Sequence, residues 1–292
     1  MVPTTILKTT GTIMGDFLQA LATHAFLRQA LAAGLLSSVA CGVVGTYVVT
    51  RRITIIAGSL AHTVVGGMGA AYWLRTTRGW DWLHPLYGAV VAAILGAVLI
   101  GVVRNRGRGR EDAVISALWA VGMAAGIMFL FQTPGYKADL MTYLFGNIAM
   151  VDPLALRLLV GLDLLILVLV VLFYNPLLAI CFDEEFAKLR GVRVGLLYTL
   201  LLVLTALTIV TLVYVVGIVM VIALITLPAS VAGLWTNRLW PTMVLAAALS
   251  ATFTTLGLAL SYSADLPAGA TIVLLAGAVY AAAHLLPMGN RD

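Results

Sequence analysis

The chain has 292 residues, of which 62% are hydrophobic and only 10% charged, with a net charge of +5. A soluble domain of this size needs far more charge to cover its surface, so composition excludes that class. The mean hydropathy of +1.07 places the chain in lipid.

A helix crosses the hydrocarbon in roughly 20 residues. The first thirty residues hold no early apolar core followed by a small-residue cleavage site, so no signal peptide is read there. Residues 1–28 form an N-terminal segment expected outside the cell. Spans are then predicted at Leu31–Val49, Ile53–Leu74, Pro85–Val103, Ala113–Phe131, Leu154–Leu172, Gly195–Val213, Gly217–Leu234, Thr242–Leu260 and Thr271–Leu286. Between the sixth and seventh, Val213–Val216 offers almost no polar turn. A short or broken helix there would leave eight full spans. The expected fold is an all-α polytopic membrane protein forming one domain over residues 1–292.

Charge sets the expected orientation. Arg51 and Arg52 follow the first span, and Arg104, Arg106, Arg108 and Arg110 follow the third. Lys188, Arg190 and Arg193 follow the fifth, and Arg238 follows the seventh. By the positive-inside rule these loops face the cytoplasm. The alternate loops carry Asp81, Asp139, Asp152 and Asp265, with Arg75, Arg78 and Lys137. The N-terminus is therefore expected outside and the C-terminus inside. The excess positive charge reports orientation, and no nucleic-acid partner is expected. Trp73, Trp80, Trp82, Trp235 and Trp240 cluster near span ends and read as interface anchors.

Several chemistries find no support. The only lysines are Lys8, Lys137 and Lys188, and none follows a glycine-rich phosphate loop, so the chain has no P-loop for ATP hydrolysis. HExxH, GxSxG and intramembrane clusters of carboxylates are missing, which argues against an enzyme. Asp163 is the one clear acid within a span; it could line a pathway or pair with a polar group in the bundle. Cys41 and Cys181 form no CxxC pair and no expected disulfide.

The second span is the most informative stretch. Helical spacing puts Gly58, His62 and Gly66 on one face, four residues apart, with Ser59 and Thr63 on the adjacent strip. That face suits small-residue packing, with His62 bonded to a neighbouring helix. It equally suits a cavity lining in which a neutral imidazole touches a passing cation. His24 and His84 fall at the outer face, where they could meet incoming metal, and His284 reads as an interfacial residue. Pro228 should kink the seventh span.

Between the fifth and sixth spans lies Phe182-Asp183-Glu184-Glu185-Phe186-Ala187-Lys188-Leu189-Arg190-Gly191. Asp183 can cap a short helix whose first turn holds two acids, and Gly191 can end it. Phe182, Phe186 and Leu189 form an apolar strip at helical spacing. By pattern alone this could be an interfacial helix lying on lipid.

Four blocks carry a family resemblance. They are Gly45-Thr46-Tyr47-Val48-Val49 with Arg51-Arg52 into Ser59-Leu60-Ala61-His62; Glu111-Asp112-Ala113; Tyr143-Leu144-Phe145-Gly146; and the 182–191 segment with Thr226-Leu227-Pro228-Ala229 and Asp265-Leu266-Pro267-Ala268-Gly269. In order and spacing, the chain resembles the membrane subunits of zinc/manganese/iron-type ABC importers from about Leu31 to Leu286. One departure stands out. Many members carry an aspartate four residues before the histidine, where this chain has Gly58.

The resemblance implies a helical scheme similar to that of vitamin B12-type importers, in a prokaryotic inner membrane. It implies a homodimer, two copies of a cytoplasmic ATP-binding subunit and an extracytoplasmic metal-binding protein. It makes residues 182–192 a coupling helix, with Asp183, Glu184, Glu185, Phe186, Ala187 and Gly191 serving the ATPase. It makes His62 a transient metal ligand and Gly58, Ser59, Gly66 and Asp163 pathway-lining. No cofactor is expected to stay bound, since the divalent metal is cargo and ATP belongs to the partner. Imidazole without carboxylate leans toward zinc over manganese. The rivals are an importer of metal chelates such as haem, siderophore or corrinoid, and a self-contained secondary transporter.

Overall fold

A computed structural model describes residues 10–107, 111–133 and 153–285. Twelve helices account for the regular structure there, with no strand among the described residues. They are α1 (Thr10–Thr23), α2 (Ala25–Thr50), α3 (Thr54–Arg78), α4 (Pro85–Asn105), α5 (Glu111–Phe131) and α6 (Pro153–Leu172), followed by α7 (Tyr174–Phe182), α8 (Glu184–Leu189), α9 (Val194–Val216), α10 (Ile218–Trp235), α11 (Leu239–Ala264) and α12 (Ala268–Leu285). In hydrocarbon no water is available to the backbone, so long apolar runs satisfy their N–H and C=O groups within a helix.

Eight of these helices are long and apolar enough to cross a membrane, and α10 contributes a shorter apolar stretch, Met220–Trp235. The chain is a multi-pass membrane protein. The break between α9 and α10 falls at Gly217, with φ 84° and ψ 166°. Only glycine adopts that backbone region readily, so a single residue interrupts an otherwise continuous apolar run. Pro228 lies inside α10. A helix not expected from the sequence, α1, occupies part of the N-terminal segment, and α2 begins at Ala25, before Leu31. Phe17 on α1 is almost fully buried. The Tyr143–Gly146 block, Lys137, Asp139, Asp152, Arg108 and Arg110 lie outside the described residues.

The bundle has an inside and a periphery. Of the α9 window 78% is buried, and of the α2 and α3 windows 67% each, against 22% for α5 and 17% for α12. The central helices approach closely because small residues leave room for neighbouring backbones. A Cβ placed on Gly66 would lie 2.8 Å from the Gly122 carbonyl oxygen, and one on Gly69 equally close to that of Gly126. These two contacts make the α3–α5 seam tight. On its other side α3 meets α4 through Gly67 and Gly88.

Candidate functional site

The α3–α5 seam holds the mid-span histidine. His62 is half-buried, and its imidazole stacks on the Trp119 indole with centroids 4.8 Å apart and planes at 24°. Trp119 reaches it because Gly122 and Gly126, three and seven residues further along α5, let the two backbones come together. The His62 Nδ1 is buried with no hydrogen-bond partner.

One helical turn earlier, Gly58 completes the arrangement. A Cβ at that position would lie 2.7 and 2.9 Å from Cζ3 and Cη2 of Trp119, and 3.1 Å from Cδ1 of Ile222. The indole thus fills the space beside Gly58 and covers a face of His62 at once.

The other small and hydroxylated residues of this stretch serve packing. Ser59 is fully buried and donates to the Ile56 carbonyl at 3.0 Å. Thr63 donates to the Ser59 carbonyl at 2.9 Å. Gly66 is buried against Gly122. Small-residue packing is present at Gly66, which seats α5, while the expected hydrogen bond from His62 to a neighbouring helix is not seen at Nδ1, which has no partner. No group of three or more His, Cys, Asp or Glu side chains that could hold a metal ion occurs among the described residues. The seam offers one imidazole, which suits passing contact with a cation better than its retention.

Asp163 belongs to a different place. It lies on α6, is 4% exposed, and neither carboxylate oxygen has a hydrogen-bond partner. Its electrostatic neighbour is Cys41 on α2, whose thiol donates to the Leu224 carbonyl at 2.7 Å. Cys181, on α7 outside the long spans, has its thiol pushed up to about 12 by burial, against the opposing pull of Arg51. The remaining histidines have local tasks. His84 caps α4, its Nδ1 accepting from the Leu86 N–H at 3.3 Å. The Nδ1 of His24 contacts Thr23 Oγ1 at 2.8 Å, and that of His284 contacts the Tyr280 carbonyl at 3.1 Å.

The arginine-rich end of the bundle carries the second arrangement. Asp183 caps α8 as expected, its Oδ1 accepting from the Phe186 N–H at 2.9 Å. Gly191 takes φ 76° just beyond the helix. The apolar strip turns outward, with Phe182, Phe186 and Leu189 at 68%, 52% and 87% exposure, while Ala187 faces in and is buried.

Glu184 also points into the bundle. It pairs with Arg51 at 3.2 Å, from the turn that leads into α3, and with Arg104 at 3.1 Å, from the end of α4. The Arg104 guanidinium lies 3.7 Å from the centroid of the Tyr198 ring on α9. The Tyr198 hydroxyl donates to Glu111 at 3.1 Å, in the first turn of α5. Arg51 further donates to the Ile180 carbonyl at 2.7 Å. An isolated surface pair contributes about 0–1 kcal/mol, but half-buried charges sharing partners act as a unit.

Sequence reasoning left two of these features out. Trp119 is the one tryptophan of six not near a span end, and that position was the available signal. Arg51, Arg104 and Glu111 were each visible as charge or motif, but their convergence on Glu184 and Tyr198 is a matter of packing.

Comparison with known proteins settles the family. A model of the ABC 3 transport family matches residues 23–286, which covers α2 to α12. The chain belongs to that family. This bears out the resemblance drawn from the sequence blocks. The chain is 38% identical, over 89% of its length and 88% of the relative's, to a "probable metal transport system membrane protein" of Chlamydia trachomatis. It is 33% identical to the manganese transport system membrane protein MntC of Halalkalibacterium halodurans, over 91% of this chain and 89% of that one. Among solved structures it resembles PsaBC from Streptococcus pneumoniae, with TM-score 0.83 and 28% identity over 94% of this chain and 96% of that one.

Proposed function

We propose that this chain is the membrane subunit of an ATP-driven importer that moves a divalent transition metal, zinc, manganese or iron, into the cytoplasm. The observation that carries this reading is α8, a short helix with its apolar strip facing out and Glu184 tied inward to two spans. That is the form a lever needs: a docking face for an ATPase and a rigid attachment to the conduit. The metal is supported by the His62 nitrogen without a partner and by the metal-transport names of two relatives. ATP is hydrolysed by a separate subunit, and the permease itself is non-catalytic.

The full assembly in this reading has two permease chains, two ATPase subunits at the arginine-rich, cytoplasmic end and a metal-binding protein outside. The N-terminus lies outside and the C-terminus in the cytoplasm of a prokaryotic inner membrane. The sparsely buried α5 suits a face shared between the two permeases. Asp183, Glu185, Phe186 and Gly191 shape and present the docking helix; Ala187 seats it. ATP-driven closure of the ATPase pair displaces α8. Glu184 passes that motion to Arg51, beside the start of α3, and through Arg104 and Tyr198 to Glu111, at the start of α5. Those helices carry His62 and Trp119. A shift of one against the other opens the stack, exposes the imidazole to the arriving ion and releases it inward. One ligand per chain keeps binding weak enough for release.

Uptake of zinc, manganese and iron(II) into liposomes holding the permease, ATPase and binding protein tests this proposal. One free ion whose uptake needs ATP and all three components is the expected result. No free-ion flux from an assembled complex, with flux of a metal chelate instead, would replace it with chelate import.

A further inference from the structure

The stack at the α3–α5 seam has a consequence for which ions pass. We propose that Trp119 is a specificity-determining residue of the conduit, holding the site to a single imidazole by occupying the side-chain space of position 58. This rests on the metal-import reading above and names how that site selects its ion.

Three observations converge. Any side chain at 58 begins with a Cβ, and that atom would lie 2.7 and 2.9 Å from the Trp119 six-membered ring. A carboxylate at 58 therefore requires the indole to move. The same indole lies against the face of His62 at 4.8 Å, nearly parallel, so moving it also frees the imidazole plane. The one donor lone pair of a neutral imidazole lies in the ring plane, and a stacked neighbour fixes its direction without blocking it. Finally, Nδ1 of that held ring is buried without a partner.

An apolar wall where an oxygen ligand could stand disfavours ions that seek oxygen, such as manganese. It disfavours less those that take nitrogen readily, such as zinc. Trp119 is thus both a barrier and a positioning group: it excludes an anionic neighbour and orients the one ligand that remains.

The test compares zinc and manganese uptake by the complete complex in liposomes with Gly58→Asp, Trp119→Ala, Trp119→Phe and Gly58→Asp/Trp119→Ala. Relative to wild type, the double variant should shift the zinc-to-manganese ratio toward manganese by at least about tenfold, the usual scale for a change beside a metal ligand. Gly58→Asp with Trp119 intact should lose flux of both ions, and Trp119→Phe, which keeps an aromatic face but lacks the Cζ3 and Cη2 atoms beside position 58, should shift the ratio less than Trp119→Ala. Retained flux in Gly58→Asp with the same ratio as the double variant would overturn the role of Trp119.

A second measurement does not depend on flux. In a chain with Cys41→Ala and Cys181→Ala, Gly58→Cys should resist a methanethiosulfonate reagent and become reactive when combined with Trp119→Ala. Equal labelling in both backgrounds would show that the indole does not occupy the position. Labelling as expected without ATP-dependent movement of any divalent ion by wild type would instead overturn the metal reading, and selection by Trp119 with it.

Discussion

The two ends of the proposed mechanism are built on opposite principles. At the arginine-rich end, Glu184 alone meets two guanidinium groups, and Arg104 continues through Tyr198 to Glu111. At the mid-span seam a single imidazole stacks on one indole among glycines, and Nδ1 has no partner. The difference follows from the surroundings. Near the interface charges stay partly hydrated, so a network of them is cheap and can transmit force. At membrane depth an unpaired polar group is costly, and the stack carries one such atom, Nδ1 of His62. In the proposed mechanism strength belongs where motion enters the fold, and weakness where the ion must leave.

The comparison breaks most severely at Glu184. Glu184→Lys sets a third cation beside Arg51 and Arg104, and transport-coupled ATP hydrolysis should fall to background. Glu184→Gln should retain part of it, because one amide can still accept from Arg104. Equal coupling in both variants would remove the network from the mechanism. Ala187→Asp, which buries a charge under α8, should prevent co-purification with the ATPase. Normal co-purification would show that the face presented by α8 does not depend on its seat.

At the seam the expected damage is to packing. Gly66→Leu or Gly122→Leu forces α3 and α5 apart, with an expected cost of about 1–3 kcal/mol. A thermal melt of the detergent-solubilised permease reads this as a lower midpoint; an unchanged midpoint would contradict the close seam. Asp163→Asn should reduce flux less than any change at His62, because Asp163 lies by Cys41 and away from the stack; a larger loss would move the ion's path to α6.

The smallest expected effect is at Cys181. With its thiol pushed up to about 12, the neutral form persists well above the ordinary cysteine value. Iodoacetamide labelling of the native protein should stay low from pH 7 to pH 9, and rise only on denaturation. Labelling that climbs through pH 8–9 would show an accessible thiol.

Much of the fold was legible because its boundaries are chemical. Predicted span Pro85–Val103 matches α4 almost residue for residue, since Pro85 starts it and Arg104 ends the apolar run. The α8 cap at Asp183 and its outward strip were equally readable. What escaped the sequence depended on partners distant in the chain. The junction between the sixth and seventh predicted spans was read at the right place, next to Gly217, while the backbone conformation that makes the break shows only in its dihedral. Gly66 shares a face with His62 by spacing, yet α5 covers Gly66. Glu184 looked like one more acid on a docking helix, and its inward direction comes from Arg51 and Arg104, 133 and 80 residues away in sequence.

The most direct test replaces the imidazole and leaves the lever intact. ATP-dependent uptake and ATP hydrolysis are measured side by side for wild type and His62→Ala in the reconstituted complex. Retained hydrolysis with metal flux lowered by about 10–100-fold is the predicted result. Unchanged flux would contradict the account, because the ion would then cross without the one ligand the seam provides.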